Sequence, residues 1–202
     1  MKKAIIILAI LVATVSCSHQ RVYNLQKEDL LKIHFSDEEI ISLSNLLLNF
    51  ENYIFTSAES DFNKEQYLEF LNDSKNLENA NEYLDQIRSI FPASNKIIEK
   101  NCGKMLVEKI WILNEPEESQ YSQLNYNGEY FNFLKNYVSA KNDSILLDYF
   151  KAWEIGGDLC PPMTMMVKKN LDQFNFQDET TRLILAIHFI TLSNSNVNMN
   201  LN

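Results

Sequence analysis

The sequence has few of the residues that form tight turns, with four glycines and four prolines among 202 residues. β-Sandwiches and propellers use such residues repeatedly, and phosphate-cradling loops are rich in glycine, so these structures are disfavoured. Positive charge is also scarce, because 18 Lys and Arg stand against 27 Asp and Glu and give a formal net charge of −9. Nucleic-acid binders cluster basic residues to displace phosphate counterions. We therefore expect no nucleic-acid partner.

The common catalytic and metal-binding motifs are missing as well. The chain has no Gly-flanked Ser elbow, no His-Glu-x-x-His, no Cys-x-x-Cys and no acidic calcium loop. Of its three histidines, only His188 falls inside a clearly patterned helix, next to Ile187 and Phe189 on the border of the buried stripe. His188 is either a general base oriented by a carboxylate from another helix, or a half-buried histidine bonded to a backbone carbonyl. A lone histidine favours the second interpretation, so we predict no catalytic residue, no metal and no cofactor.

The first 17 residues have the composition of an export signal. Two lysines follow Met1, residues 4–15 are apolar apart from Thr14, and Ser16 and Cys17 come next. The apolar run is shorter than the roughly 20 residues that a membrane-spanning helix needs, which favours a cleaved signal peptide over residues 1–16. The segment Thr14-Val15-Ser16-Cys17 resembles the lipobox of bacterial lipoproteins. It departs from that pattern at Thr14, where Leu is commonest.

The lipobox resemblance implies that Cys17 becomes the lipidated first residue of the mature protein. Acyl chains would then anchor the protein to a membrane in the bacterial cell envelope, since each buried methylene contributes about 0.8 kcal/mol. Ser18 after the cysteine resembles the outer-membrane-directed class, so the outer membrane is preferred over the inner membrane. The alternative is an ordinary signal peptide that is cut nearby. Loss of Lys2 and Lys3 with the signal peptide would lower the net charge to −11.

The two remaining cysteines, Cys102 and Cys160, would lie in a compartment where disulfides form. A bridge between them would stabilise the fold by about 4 kcal/mol in the chain-entropy model. Alternatively, Cys102 is a small buried residue, as free cysteines usually are. The sequence leaves both possibilities open.

Hydrophobic periodicity predicts helices through most of the mature chain. Ser36-Asp37-Glu38-Glu39 matches a capping box, and the helix that it starts carries one apolar face formed by Ile40, Leu43, Leu47, Phe50 and Ile54. Similar patterns predict helices over 63–72, 77–91 and 94–113, and further helices after Gly128, Asp143, Cys160 and Asp178. Met105 lies on the predicted buried stripe of the 94–113 helix, and the last helix has a stripe formed by Leu183, Ile187 and Ile190. Strand signals are absent.

These patterns predict an all-α fold, either an irregular helical bundle or stacked helical hairpins of about seven helices. The predicted organisation is a signal peptide over 1–16, a lipidated N-terminus and tether over 17–35, a helical domain over 36–192 and a frayed tail over 193–202. Residues 114–128 form the longest internal connection and are expected to be a surface loop.

Two connections are candidate partner surfaces. The first consists of Trp111 and the acidic residues that follow it, Glu115, Glu117 and Glu118. A basic patch on another protein would complement these carboxylates, although a merely solvated acidic loop is the simpler interpretation. The second connection holds Asp158 and Leu159 between two predicted helices.

The sequence favours a lipid-anchored, non-catalytic envelope protein that binds another protein of unknown identity. Within this class, an immunity protein that neutralises an imported toxin is one specific possibility. The competing hypotheses are an envelope hydrolase that uses His188 and carboxylates, and a spacer that tethers an assembly to the membrane.

Overall fold

The structure is a computed structural model that describes residues 23–55, 64–72, 80–91, 94–113, 123–156 and 161–194. Within these ranges the protein is all-α, as predicted, with one two-stranded antiparallel ribbon. Short 3-10 turns lie at Leu25–Lys27 and Leu171–Gln173. In chain order the helices are α1 (Asp29–His34), α2 (Asp37–Ile54), α3 (Lys64–Asn72), α4 (Ala80–Ile90), α5 (Ser94–Asn101), α6 (Lys104–Ile110), α7 (Glu129–Lys141), α8 (Ser144–Gly156), α9 (Pro161–Lys169) and α10 (Glu179–Asn194).

Helix α2 begins and packs as its sequence predicts. The Ser36 hydroxyl accepts a hydrogen bond from the Glu39 backbone N–H at 3.3 Å, and the Glu39 carboxylate accepts one from the Ser36 N–H at 2.8 Å. This reciprocal pair satisfies two donors that have no partner inside the helix. All five residues of the predicted apolar face are buried.

Helix α10 is the centre of the core. Every residue from Thr180 to Leu192 is buried, polar and apolar alike, with α2, α4 and α5 packed around the helix. Because a helix enclosed on all sides also buries its polar residues, those residues need partners within the protein. The Thr191 hydroxyl accepts a hydrogen bond from Trp111 Nε1 at 2.8 Å, and Asn194 Oδ1 accepts one from the Ser94 hydroxyl at 2.9 Å.

The single helix predicted over 94–113 is interrupted in the structure. Helix α5 ends at Asn101, and Gly103 caps the start of α6 with an extended backbone at φ −69° and ψ 160°. The interruption changes which residues share a face. Met105, predicted on the buried stripe, is therefore 75% exposed.

A small ribbon lies where the sequence gave no strand signal. Strands β1 (Trp111–Ile112) and β2 (Gln123–Leu124) pair antiparallel, with Trp111 opposite Leu124 and Ile112 opposite Gln123. Strands of two residues are too short to show a period, so the expectation of no strands was wrong here. Residues 114–122 of the predicted surface loop lie outside the described residues.

The predicted tether contains ordered structure in its second half. The first 3-10 turn and α1 lie within residues 25–34, where the sequence predicted a tether, and Leu25, Leu31 and Phe35 are buried. Helix α1 packs against α7 and α2. Its six residues are too few for a helical period to be recognised. At the other end, α10 continues to Asn194, two residues into the predicted tail, and residues 195–202 lie outside the described part.

Replacing Gly128 with Ala should destabilise the fold by about 1–3 kcal/mol, because the added carbon needs room that the packed backbone does not have. A Cβ at this position would lie 2.2 Å from the Lys109 carbonyl oxygen, whereas a Cβ at Gly103 meets nothing within 4 Å. Gly103→Ala is therefore the matched control and should cost much less. Urea unfolding of the two variants measures the difference, and equal costs would contradict the close approach.

Candidate functional site

Most of the predicted site residues lie outside the described part of the chain. These are Cys17 and the acidic and apolar residues of the two predicted partner connections, Glu115, Glu117, Glu118, Asp158 and Leu159. Trp111, also predicted for the partner surface, is described and is wholly buried. Its indole N–H is bonded to Thr191 on the central helix, so its place on a partner surface was a wrong prediction. The reason is that β1 follows a helix whose apolar face already lies against the core.

Cys102 is a buried free thiol. Burial raises its pKa to about 12, so the thiol is protonated and unreactive at neutral pH. The burial of Cys102 agrees with the second possibility, a small buried residue, whereas the disulfide stays a prediction. Cys160 lies outside the described residues.

His188 is fully buried in the middle of α10. The sequence predicted a position at the border of the apolar stripe, and this prediction was wrong. Its ring lies edge-on to Tyr149 and Phe189, and Nδ1 is 3.5 Å from the Tyr149 hydroxyl oxygen. Burial lowers its pKa to about 3, so the imidazole is neutral at physiological pH. No carboxylate bonds to His188 within the described residues, and a general base there would lack both an orienting partner and access to substrate.

Four residues from distant parts of the chain form a buried charged cluster, which we call the N-terminal clamp: Tyr23, Glu51, Tyr67 and Arg182. Glu51 on α2 accepts hydrogen bonds from the Tyr23 hydroxyl and, at 3.0 Å, from the Tyr67 hydroxyl. Arg182 Nε on α10 lies 3.2 Å from Glu51 Oε1. The Arg182 guanidinium also lies over the Tyr23 ring, with Cζ 5.1 Å from the ring centroid. The clamp therefore joins the segment before α1 to α2, α3 and α10.

The two buried charges of the N-terminal clamp, on Glu51 and Arg182, depend on each other. Glu51 is 0% exposed and Arg182 3%, and a buried charge is costly unless an opposite charge and hydrogen bonds compensate it. Burial, reinforced by the nearby Glu51 charge, holds the pKa of Tyr67 well above its usual range, so Tyr67 stays protonated and donates. Because Glu51 is enclosed, this carboxylate holds helices together and does not meet a substrate.

The sequence analysis did not predict the N-terminal clamp, although the sequence contains a signal for it. Glu51 follows Leu43 and Leu47 at steps of four, which places a carboxylate on the apolar face of α2. Arg182 directly precedes Leu183 at the start of the apolar stripe of α10. A charge of each sign on a buried face is the pattern expected for a buried ion pair.

Further polar contacts hold the N-terminal segment to α7. His34 Nδ1 lies 2.9 Å from Glu129 Oε2, and its Nε2 lies 3.0 Å from Asn136 Nδ2. Lys141 Nζ lies 3.1 Å from Glu28 Oε2. Residues 23–35 are thereby attached at both ends, at the clamp and at α7.

Shallow depressions lie on the surface of the described residues. One of about 320 Å³ is lined by Tyr23, Asn24, Gln26, Ile41, Ser44 and Asn45. Two others, of about 240 and 260 Å³, lie beside the start of α10 and the start of α7. All three open broadly to solvent, whereas small-molecule sites bury most of their ligand. Within the described ranges no three His, Cys, Asp or Glu side chains are grouped to hold a metal ion.

No helix among the described residues has both the length and the apolar character needed to cross a membrane.

Comparison with known proteins gives one informative similarity. No family model and no solved structure matches the chain. Over 158 residues the chain is 28% identical to a protein named non-toxic nonhemagglutinin type C, from Clostridium botulinum C phage. The alignment covers 73% of this chain but 12% of that protein, so the chain is similar to one portion of a much longer relative.

Proposed function

We propose that this protein is a lipid-anchored protein of the bacterial envelope that binds another protein and catalyses no reaction. One observation carries the non-catalytic part of the proposal. Glu51, Arg182 and His188, three ionisable side chains inside the described body, are buried away from solvent. The clamp uses the first two to hold helices together, and burial keeps His188 neutral. An exposed surface, rather than a reactive interior, is then what the body offers to other molecules.

The clostridial relative does not decide between a binding and a catalytic role. The name of that relative says only that it is non-toxic and is not a hemagglutinin. The portion similar to this chain is a small part of its length.

The acidic charge bears on the class of partner. With residues 1–16 removed, the net charge is −11, which favours encounter with a basic protein and disfavours other acidic ones. An immunity protein that neutralises a basic imported toxin is therefore the specific role that this charge favours most. The hydrolase alternative finds no support at His188, because its ring is buried without a carboxylate partner.

Cross-linking in intact cells tests the proposal. A C-terminally tagged wild-type chain should fractionate with membranes and carry one basic protein at a stoichiometry of about one to one. Cys17→Ala should lose the membrane fraction yet retain the partner, because binding is a property of the body. Cys102→Ala, which removes a buried cysteine, is the matched control and should stay with the membranes. A wild-type monomer that carries no cross-linked protein would contradict the proposed binding role.

A further inference from the structure

We propose that the body lies on the membrane by one defined surface, the Tyr23 face, formed by Tyr23, Asn24, Gln26, Ile41, Ser44 and Asn45. The occupant of this surface is the headgroup layer of the membrane that holds the acyl chains of Cys17. The inference rests on the proposed lipid anchor and adds to it an orientation.

The length of the tether is the first argument. Cys17 and Tyr23 are six residues apart in the sequence, which spans about 20 Å at full extension. A compact domain of this size is about 40 Å across. Tyr23 therefore cannot move farther from the headgroups than half the width of the body, and the opposite side of the body cannot turn to the membrane.

The fixed attachment of Tyr23 is the second argument. Its hydroxyl donates to the buried Glu51 carboxylate, and its ring lies against the Arg182 guanidinium. The next residue, Asn24, donates its backbone N–H to Glu179 Oε2 at 3.1 Å, and Leu25 is buried. The tether thus ends at Tyr23, and the six-residue span is not lengthened by release of the segment that follows.

The chemistry of the Tyr23 face is the third argument. The residues that line it carry no charge, although the chain as a whole is strongly acidic. Anionic phospholipids repel acidic surfaces, so an uncharged face approaches a bilayer at lower cost. Ile41 is 51% exposed in this face and offers an apolar side chain to the boundary between headgroups and acyl chains. Asp37 and Glu38 lie one turn before Ile41 on α2, outside the six lining residues.

Photo-cross-linking to lipid tests this orientation. The full-length precursor would carry p-benzoylphenylalanine in place of Ile41 or, as the matched control, in place of Ile155. Ile155 is an isoleucine with 89% exposure on α8, a helix that packs against α7 and α9. The lipid label that is gained on irradiation of cells grown with radiolabelled phospholipid precursors should be at least about five times greater at position 41 than at position 155, since only the Tyr23 face reaches the acyl boundary. An unirradiated sample of each variant gives the label held in the Cys17 acyl chains, which is subtracted.

A second pair of proteins tests the tether. Inserting about twenty Gly and Ser residues between Arg21 and Val22 adds a flexible linker whose full extension of about 65 Å exceeds the width of the body. The labelling ratio should then fall towards one, and an unchanged ratio would overturn the role of the tether.

The outcomes separate this inference from the proposed anchor. Membrane-bound protein with equal label at positions 41 and 155 would overturn the orientation while leaving the anchor intact. Protein that is absent from the membranes, with an unmodified Cys17, would overturn both.

Discussion

Replacing Arg182 with Met should lower the free energy of unfolding by about 3–5 kcal/mol, because it leaves the buried Glu51 carboxylate without its counter-charge. The Arg182 Nε to Glu51 Oε1 distance is 3.2 Å, and both side chains are withdrawn from water. Hydrogen bonds from two tyrosines compensate part of the carboxylate's desolvation but supply no positive charge. Urea denaturation followed by the helical circular dichroism signal measures this loss.

A double-mutant cycle separates the ion pair from general packing loss. Glu51→Gln should also be costly, and Glu51→Gln combined with Arg182→Met should cost less than the sum of the two single changes, because neither charge is then left alone. The exposed pair Lys104 and Glu108, 3.8 Å apart on α6, is the matched control. Removing either of its charges should change stability by less than about 1 kcal/mol. Additive effects at the clamp would contradict a coupled pair.

Lowering the pH should destabilise the protein through His188, by about 1.4 kcal/mol for each pH unit below 6.5. Burial lowers the pKa of His188 to about 3 in the folded state, while the unfolded chain has the ordinary value of 6.5. Between these values the unfolded state binds a proton that the folded state does not. The contribution is therefore fully present above pH 6.5 and is lost as the pH falls towards 3.

A His188→Phe variant should lack this pH dependence. Carboxylates titrate in both proteins, so the difference between wild type and variant at each pH isolates the histidine. His188→Gln keeps a polar side chain that does not titrate, and it should show the same loss of slope even if the two variants differ in stability. Unfolding free energies measured by urea titration between pH 7.5 and pH 4.5 provide the comparison. A constant difference over this range would show that His188 is not enclosed as a neutral ring.

The sequence predicted those parts of the fold that depend on neighbouring residues. The capping box at Ser36 and the apolar face of α2 are local patterns, and both are confirmed. Asp143 accepts hydrogen bonds from the Ile145 and Leu146 N–H groups at the start of α8, as predicted for a helix cap. Such features follow from backbone geometry within one or two turns, so they require no knowledge of the rest of the chain.

The parts that were missed depend on contacts between distant residues. A stripe of three residues marked one face of α10, whereas the whole helix is enclosed by α2, α4 and α5. Helix α1 is too short to show a period, and its place is decided by packing against α7. The N-terminal clamp joins residues as far apart as Tyr23 and Arg182, so no local pattern brings its members together.

The candidate site was predicted less well than the fold. The place of Trp111 beside an acidic connection favours a surface position, but the hydrogen bond from its indole N–H to Thr191 places it in the core. His188 was expected at the border of the apolar stripe of α10, half exposed to solvent. Because α10 is buried on every side, no position at its centre is half exposed. Large aromatic and polar side chains serve cores and surfaces alike, so their residue type alone does not decide between these positions.

Mass spectrometry of the N-terminal peptide, from protein purified out of bacterial membranes, tests the lipid anchor most directly. We expect a chain that begins at Cys17, carries acyl groups on that residue and lacks residues 1–16. A chain that retains Met1, or one that begins elsewhere with an unmodified Cys17, would contradict the anchor and, with it, the orientation on the membrane.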